Sequence, residues 1–254
     1  MKNPTKNSIK SPRKSAQAPL VICKNLSKSF GRQEVLRNIN LEIPRGKIIG
    51  LLGQNGAGKS TFIKLLNDLL TPTSGSILIN GSPIGPESKR IIAYLPERTY
   101  LDKTLLIRDA LRYFSEFYDN FNIDKAKKLL QELNLAEDMQ INKMSKGMQE
   151  KLQLILVMSR DAELYILDEP LGGVDPATRD YILNTILTNF KEGASVLIST
   201  HLIADIERIL DEVIFINQGE IALTESADSL RAKHDASIDE IFRQTFKNQT
   251  HASL

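Results

Sequence analysis

Cysteine occurs once in the 254 residues, at Cys23, and histidine three times, at His201, His234 and His251. A lone thiol excludes an intrachain disulfide and suits a reducing, cytosolic setting. The scattered histidines leave no spacing for a zinc-type cluster. Long apolar runs are missing too: the longest, Leu154–Met158, falls far short of the roughly 20 residues needed to cross a bilayer. No charge of one sign dominates, because 33 Lys+Arg against 31 Asp+Glu gives a formal net charge of +2. Nothing global therefore argues for nucleic acid, and any use of charge must be local. What is present, 41% hydrophobic and 25% charged residues, is ordinary for a globular protein with ample material for a core.

The first 18 residues carry five basic side chains, no acid and no apolar stretch of the kind a secretory leader requires. They read as a disordered basic tail. From Leu20 short β-like stretches follow, LVICKNL, VLRNINLEI, KIIGLLG and SGSILING, the last with a turn at Asn80-Gly81. Between Lys103 and Ser159 the period becomes helical, in RDALRYFSEFY and DKAKKLLQELNL. Beyond it, LYILD and SVLIST flank ATRDYILNTILTNFKEG, a helix expected to close at Gly193. Strand, helix, strand implies a parallel pair with both faces covered. VIFINQGEIAL reads as a hairpin about Gln218-Gly219, and DEIFRQTF as part of a C-terminal helix.

Residues 53–60, GQNGAGKS, satisfy G-x-x-x-x-G-K-[ST] in full, between the strand KIIGLL and the predicted helix TFIKLLNDLL. Gly53, Gly56 and Gly58 let the backbone of Gln54, Asn55 and Ala57 wrap so that N–H groups point at phosphate oxygens at the positive end of a helix. Lys59 brings a mobile charge toward the β and γ phosphates. Ser60 offers a hydroxyl to Mg²⁺, with Thr61 next in the helix.

A Mg²⁺ site also needs a carboxylate, and Asp168 ends the strand LYILD, where ligand sites of open parallel sheets lie. Glu169 follows directly. Strand alternation sends adjacent side chains apart, so the two are expected to divide the work, Asp168 on metal and Glu169 on an attacking water. His201 closes SVLIST and brings a third polar side chain to the same rim, as a γ-phosphate contact. His234 and His251 are read as structural or exposed.

One stretch stands outside this site. In MSKGM, residues 144–148, a Ser and a Gly open the apolar helix LQLILVM, as if to offer a second anion site far from the first loop. With GQNGAGKS, MSKGM, LYILDEP, GGVDP and STH in this order, the chain resembles the ATP-binding subunit of an ABC transporter, from Leu20 to about Leu223. The SKGM signature, YLPE and the C-terminal extension look most like subunits serving exporters of the ABC-2 type.

The resemblance implies an α/β fold, a P-loop NTPase core of RecA-like type with an antiparallel β subdomain and a helical signature subdomain. It places an ATP-binding domain at 19–225, with the helical subdomain at about 103–159, and a C-terminal helical extension at 226–254. It implies a head-to-tail dimer in which Ser145 and Gly147 of one subunit cover the γ-phosphate held by the other. Lys146 and Met148 stand where the common pattern has Gly and Gln. Glu97, in YLPE, takes the place of a Gln that contacts Mg²⁺. Phe30 matches the aromatic that stacks on adenine. Asp175 matches the loop that communicates across the dimer, with Gly172 replacing a common Ser.

The expected activity is ATP hydrolysis that powers transport by separate integral membrane permease subunits, on the cytoplasmic face of the membrane and without nucleic acid. ATP and Mg²⁺ are the implied cofactors. A second ATP-binding subunit, identical or not, is the implied partner. Two rival readings are a nucleic-acid or ribosome remodelling ATPase of the same type, and a non-hydrolysing half of a heterodimer. The single phosphate loop and absence of heptads argue against the first, and Glu169 against the second.

Overall fold

The computed structural model describes residues 18–247. Apart from Ala18, the expected basic tail lies outside the described residues, as do His251 and positions 248–254 of the C-terminal extension. The chain opens with β1 (Val21–Phe30), β2 (Gln33–Ile43) and β3 (Ile48–Leu52), which leads into α1 (Lys59–Leu66). There follow β4 (Ser74–Ile79), β5 (Ser82–Pro83), α2 (Pro86–Ile91) and β6 (Ile92–Leu95). Three helices come next, α3 (Ile107–Phe117), α4 (Ile123–Glu132) and α5 (Lys146–Met158). The rest alternates: β7 (Leu164–Asp168), α6 (Pro176–Asn189), β8 (Ser195–Thr200), α7 (Ile203–Ile206), β9 (Glu212–Asn217), β10 (Glu220–Ser226), α8 (Ala227–His234) and α9 (Ile238–Lys247).

These strands form two sheets. One is antiparallel, in the order β2-β1-β4-β5. The other runs β10-β9-β3-β8-β7-β6 and is parallel throughout except for β10 at its edge. Two hairpins close on pairs of left-handed residues, Asn80-Gly81 at φ 52° and 78° and Gln218-Gly219 at φ 47° and 82°, the turn geometry that matches strand twist.

The parallel strands are apolar on both faces because each face meets a separate layer. Period-two alternation sends Ile49 and Leu51 of β3, Ile166 of β7, Leu197 of β8 and Ile214 of β9 to a cluster shared with Phe62 and Ile63 of α1 and with the antiparallel sheet. Their neighbours Leu52, Leu167, Ile198 and Phe215 point the other way, into a cluster with Ile182 of α6, Leu230 of α8 and Phe242 of α9. Phe215, Phe242 and Phe246 stack edge to face there, with centroids 4.7 to 6.0 Å apart. The C-terminal helices thus pack into the main core.

A third cluster joins Ile107, Leu111 and Phe114 of α3 with Leu129 and Leu130 of α4 and Leu152, Ile155 and Leu156 of α5. On its other side α5 contributes Leu154, Val157 and Met158 to the cluster against the parallel sheet. This double duty explains why LQLILVM is apolar all round. The helix ties the helical layer to the core on the α6 side of the parallel sheet.

Two expectations change. α1 stops at Leu66, short of Leu70, because the Asn67 side chain donates to the Ile63 carbonyl at 2.9 Å and Asp68 turns left-handed at φ 56°. α6 ends at Asn189, where the side chain donates to Thr185 O at 3.0 Å and Phe190 becomes extended. Gly193 instead shapes the following turn, at φ 78° with Ala194 N bonded to Lys191 O. Strand β6, which follows α2 and had no periodic signal, pairs in parallel with β7 at the edge of the sheet.

Candidate functional site

Every element of the site ends at one rim of the parallel sheet, as Gly53, Glu169 and His201 follow directly from β3, β7 and β8. Two glycines decide the loop's shape. A Cβ at Gly53 would lie 2.6 Å from Ile216 O, and Gly58, at φ 108°, would place one 2.7 Å from Leu36 Cδ2. Only residues without a side chain let the loop lie this close to β9 and β2 and still turn into α1. Phe62 N then bonds Gly58 O at 2.9 Å, starting the helix. Such a start presents N–H groups and the positive end of the helix dipole to an anion.

An open pocket of about 420 Å³ lies over this helix start, lined by Asn55, Gly56, Gly58, Lys59, Ser60 and Thr61 on one side and by Glu97, Glu169, Gly172 and His201 on the other. Lys59 is buried; its Nζ donates to Gly53 O at 2.7 Å and Gln54 O at 3.3 Å, and lies 3.3 Å from Glu169 Oε1. Ala57 is buried behind the loop, where its carbonyl accepts from Gly219 N at 3.0 Å. Gln54 is exposed on the outside.

Asp168 is buried beneath the pocket, where Oδ1 accepts from Ser199 Oγ at 2.5 Å and from Ser60 Oγ at 3.4 Å. Burial raises its carboxyl above the usual range, the two hydroxyls pull it back, and the charges of Glu169 and Glu97 add to the rise. Glu169 does diverge from Asp168, but not through strand alternation. β7 has already ended, and Glu169 stands at φ 49°, a left-handed conformation that is uncommon for a side chain of this size. Its N–H is held by Ser199 O at 3.0 Å. Its Oε2 meets His201 Nδ1 at 3.0 Å.

Hard oxygen donors suit Mg²⁺, and Ser60, Asp168 and Glu97 are of that kind. Ser60 and Asp168 come together; Glu97 is exposed on the pocket's edge. Among the described residues no three His, Cys, Asp or Glu side chains cluster as a metal cage.

Phe30, Ser145, Gly147 and Asp175 also lie outside the pocket lining. Phe30 ends β1 and is 47% exposed, so its ring is not part of the core. Ser145 caps α5, its Oγ accepting from Met148 N at 3.2 Å, and is exposed. Gly147 follows in the first turn. Asp175 caps α6, accepting from Thr178 N at 3.0 Å and Thr178 Oγ1 at 2.6 Å, contacts that hold its carboxyl below the usual range.

Ser199 is the partner that the sequence reading missed. Its role depends on the parallel register that sets it opposite Asp168, and no local motif marks that pairing. Buried and nearest to Asp168, it orients the carboxylate toward Ser60.

With this geometry in hand, comparisons with known proteins agree. The family model described as "ABC transporter" matches residues 36–172. The lantibiotic transport ATP-binding protein SrtF of Streptococcus pyogenes is 34% identical over 207 residues, which span 80% of this chain and 90% of that one. The Nod factor export ATP-binding protein I of Cupriavidus metallidurans is 30% identical over 204 residues, 77% of this chain and 67% of its own. A solved structure described as the ATP binding subunit of an ABC transporter superposes with a TM-score of 0.80 at 32% identity, covering 89% of this chain and 98% of that chain.

Proposed function

We propose, from the premise that this chain belongs to the ABC transporter family as one of its ATP-binding subunits, a division of labour among its residues. The protein is an ATPase whose hydrolysis powers transport by separate membrane-spanning subunits. No described helix is long and apolar enough to cross a membrane. The reading places it at the inner face of the cell membrane, driving export as the printed name of the Nod factor relative describes.

The convergence of Lys59, Ser60, Asp168, Glu169 and His201 on one pocket carries the chemical part. The loop at 53–60 with Thr61 holds the triphosphate, and Phe30 stacks on the base. Ser60, Asp168 and Glu97 are the residues that would hold Mg²⁺, whose positive charge would offset the negative charge of the phosphates. Glu169 orients and deprotonates the water, and His201, fixed by Glu169, steadies the charge on the γ-phosphoryl oxygens. Lys59 exchanges its contact with Glu169 for the phosphates when nucleotide arrives.

Ser145 and Gly147 open α5 but do not line the chain's own pocket, which supports a site completed by a second copy or a related subunit. Asp175 shapes the loop facing that partner. A groove of about 660 Å³ between the core and helical layer, walled by Tyr94, Tyr100, Phe114 and Tyr118, is the place for the permease. In this division 19–225 is the ATP-binding unit, 103–159 its helical part and 226–254 the C-terminal extension, which contains α8 and α9.

Gly147→Asp tests the composite site. A Cβ there would come no nearer than 3.9 Å to Thr178 Oγ1, so the chain itself has room for the new side chain. The variant is expected to melt like the parent and bind ATP as a monomer, yet neither dimerise nor hydrolyse. Full ATPase activity would overturn the reading.

A further inference from the structure

Lys28 and Phe30 are two residues apart on β1, so strand alternation puts both side chains on one face. Lys28 Nζ lies 5.0 Å from the centroid of the Phe30 ring. The same ammonium donates to the Thr71 carbonyl at 2.7 Å, in the segment that follows α1. Two backbone contacts stitch that segment to the same strand end: Ser29 N donates to Thr73 Oγ1 at 2.9 Å, and Thr73 N donates to Ser27 O at 2.9 Å. The strand end carrying the aromatic is thereby tied to the far end of the helix that carries the phosphate loop at its near end.

We propose that Lys28 is a positioning residue for the nucleotide base, one that fixes the plane of the Phe30 ring and leaves its exposed part as the stacking face. The inference rests on the reading that Phe30 stacks on the base. An exposed Phe at a strand end is otherwise free to change rotamer, and a base that stacks on it must bear the cost of ordering it. The ammonium, attracted to the ring and anchored on Thr71 O, orders the ring before the base arrives. The anchor also sets the distance between base platform and phosphate loop, since both ends hang on α1. Lys28 does not line the phosphate pocket. Its effect is therefore confined to ligands that carry a base.

The test measures binding of ATP and of inorganic tripolyphosphate to the full chain by titration calorimetry. Lys28→Met keeps the aliphatic stem and removes the charge and the donor; Lys28→Gln replaces it if the methionine disturbs folding. The expected result is ATP binding weakened by about two- to tenfold, unchanged tripolyphosphate binding, and recovery in Lys28→Arg. In a Phe30→Ala background, Lys28→Met should add nothing further. If Phe30→Ala weakens ATP binding but Lys28→Met leaves it unchanged, the inference fails and the stacking reading stands. If Phe30→Ala changes nothing, both fail. Equal weakening for ATP and tripolyphosphate would also overturn the inference, because the lysine would then act on phosphate or on the fold.

Discussion

Lys59 and Glu169 form an ion pair at the floor of the pocket, with Nζ 3.3 Å from Oε1 and the two side chains only 5% and 10% exposed. The pair joins the loop that receives phosphate to the carboxylate assigned to water. A triphosphate that takes the ammonium leaves Glu169 with His201 and frees one carboxylate oxygen. Lys59→Met removes the charge from both tasks, and it should lower ATP turnover by at least about 100-fold. Steady-state phosphate release checks this, and turnover within tenfold of the parent would contradict it.

The raised Asp168 carboxyl makes a stability prediction with a definite sign. Burial is the main cause, and the ordinary value is 3.8. A carboxyl raised in the fold binds more protons there than in the unfolded chain, so its contribution falls as pH climbs from the ordinary value through the folded one. At pH 7 the ionised group weighs against the nucleotide-free fold. Asp168→Asn, which keeps an acceptor for Ser199 without the charge, is expected to raise the melting temperature at pH 7 and to lose that advantage near pH 4. A lower melting temperature at pH 7 would contradict the assignment. Mg²⁺-dependent ATP turnover should vanish in the same variant.

Arg160 is 4% exposed and caged by backbone at the joint between α5 and the edge of the parallel sheet. Its guanidinium donates to Ile92 O at 2.5 Å, Arg90 O at 2.9 Å and Asn120 Oδ1 at 3.0 Å, and lies 3.7 Å over the Tyr118 ring. Arg160→Met leaves these acceptors unpaired, the buried Ile92 carbonyl among them, and should cost about 3 kcal/mol. The urea midpoint measures it. A loss below about 1 kcal/mol would mean that water replaces the guanidinium without penalty.

Cys23 reports on the antiparallel sheet. It is buried in β1, and burial pushes its thiol up to about 12. Native protein at pH 8 should therefore resist iodoacetamide for as long as the sheet stays closed, whereas unfolded protein should react at the rate of a free thiol. Mass spectrometry across a urea series follows both. Fast labelling of the native protein would show that the sheet opens locally.

Much of this architecture was legible in the chain because its signals are local. The phosphate loop, both hairpin turns and the apolar runs of β3, β7 and β8 each depend on neighbours within a few residues. LQLILVM announced a buried helix, though only the packing showed why it is apolar on every side, between Phe114 on one flank and the cluster around Ile182 on the other. The helix ends were less legible, since Asn67 and Asn189 stop α1 and α6 by bonding back to the preceding turn, before the apolar pattern itself runs out.

What stayed hidden depends on register and on special backbone geometry. Ser199 meets Asp168 only because β7 and β8 pair in parallel at that step. Glu169 parts from Asp168 through a left-handed turn that no pattern of apolar residues encodes. Strand β6 gave no periodic signal because it is four residues long and leads through Pro96 into a bend at Glu97-Arg98. Lys28 carries no local signal for a similar reason, since its partner Thr71 is 43 residues away.

In the proposed division of labour, Glu169 acts on water while Ser145 and Gly147 of a second copy close the site. Glu169→Gln keeps the shape of the side chain and removes its charge, so nucleotide binding should survive while hydrolysis falls by at least about 100-fold. Light scattering of this variant with and without ATP and Mg²⁺ is the direct measurement. A monomer without nucleotide and a stable dimer with ATP, dispersed when ADP replaces it, are expected. A variant that stays monomeric at saturating ATP would contradict a site completed by a second copy of this chain.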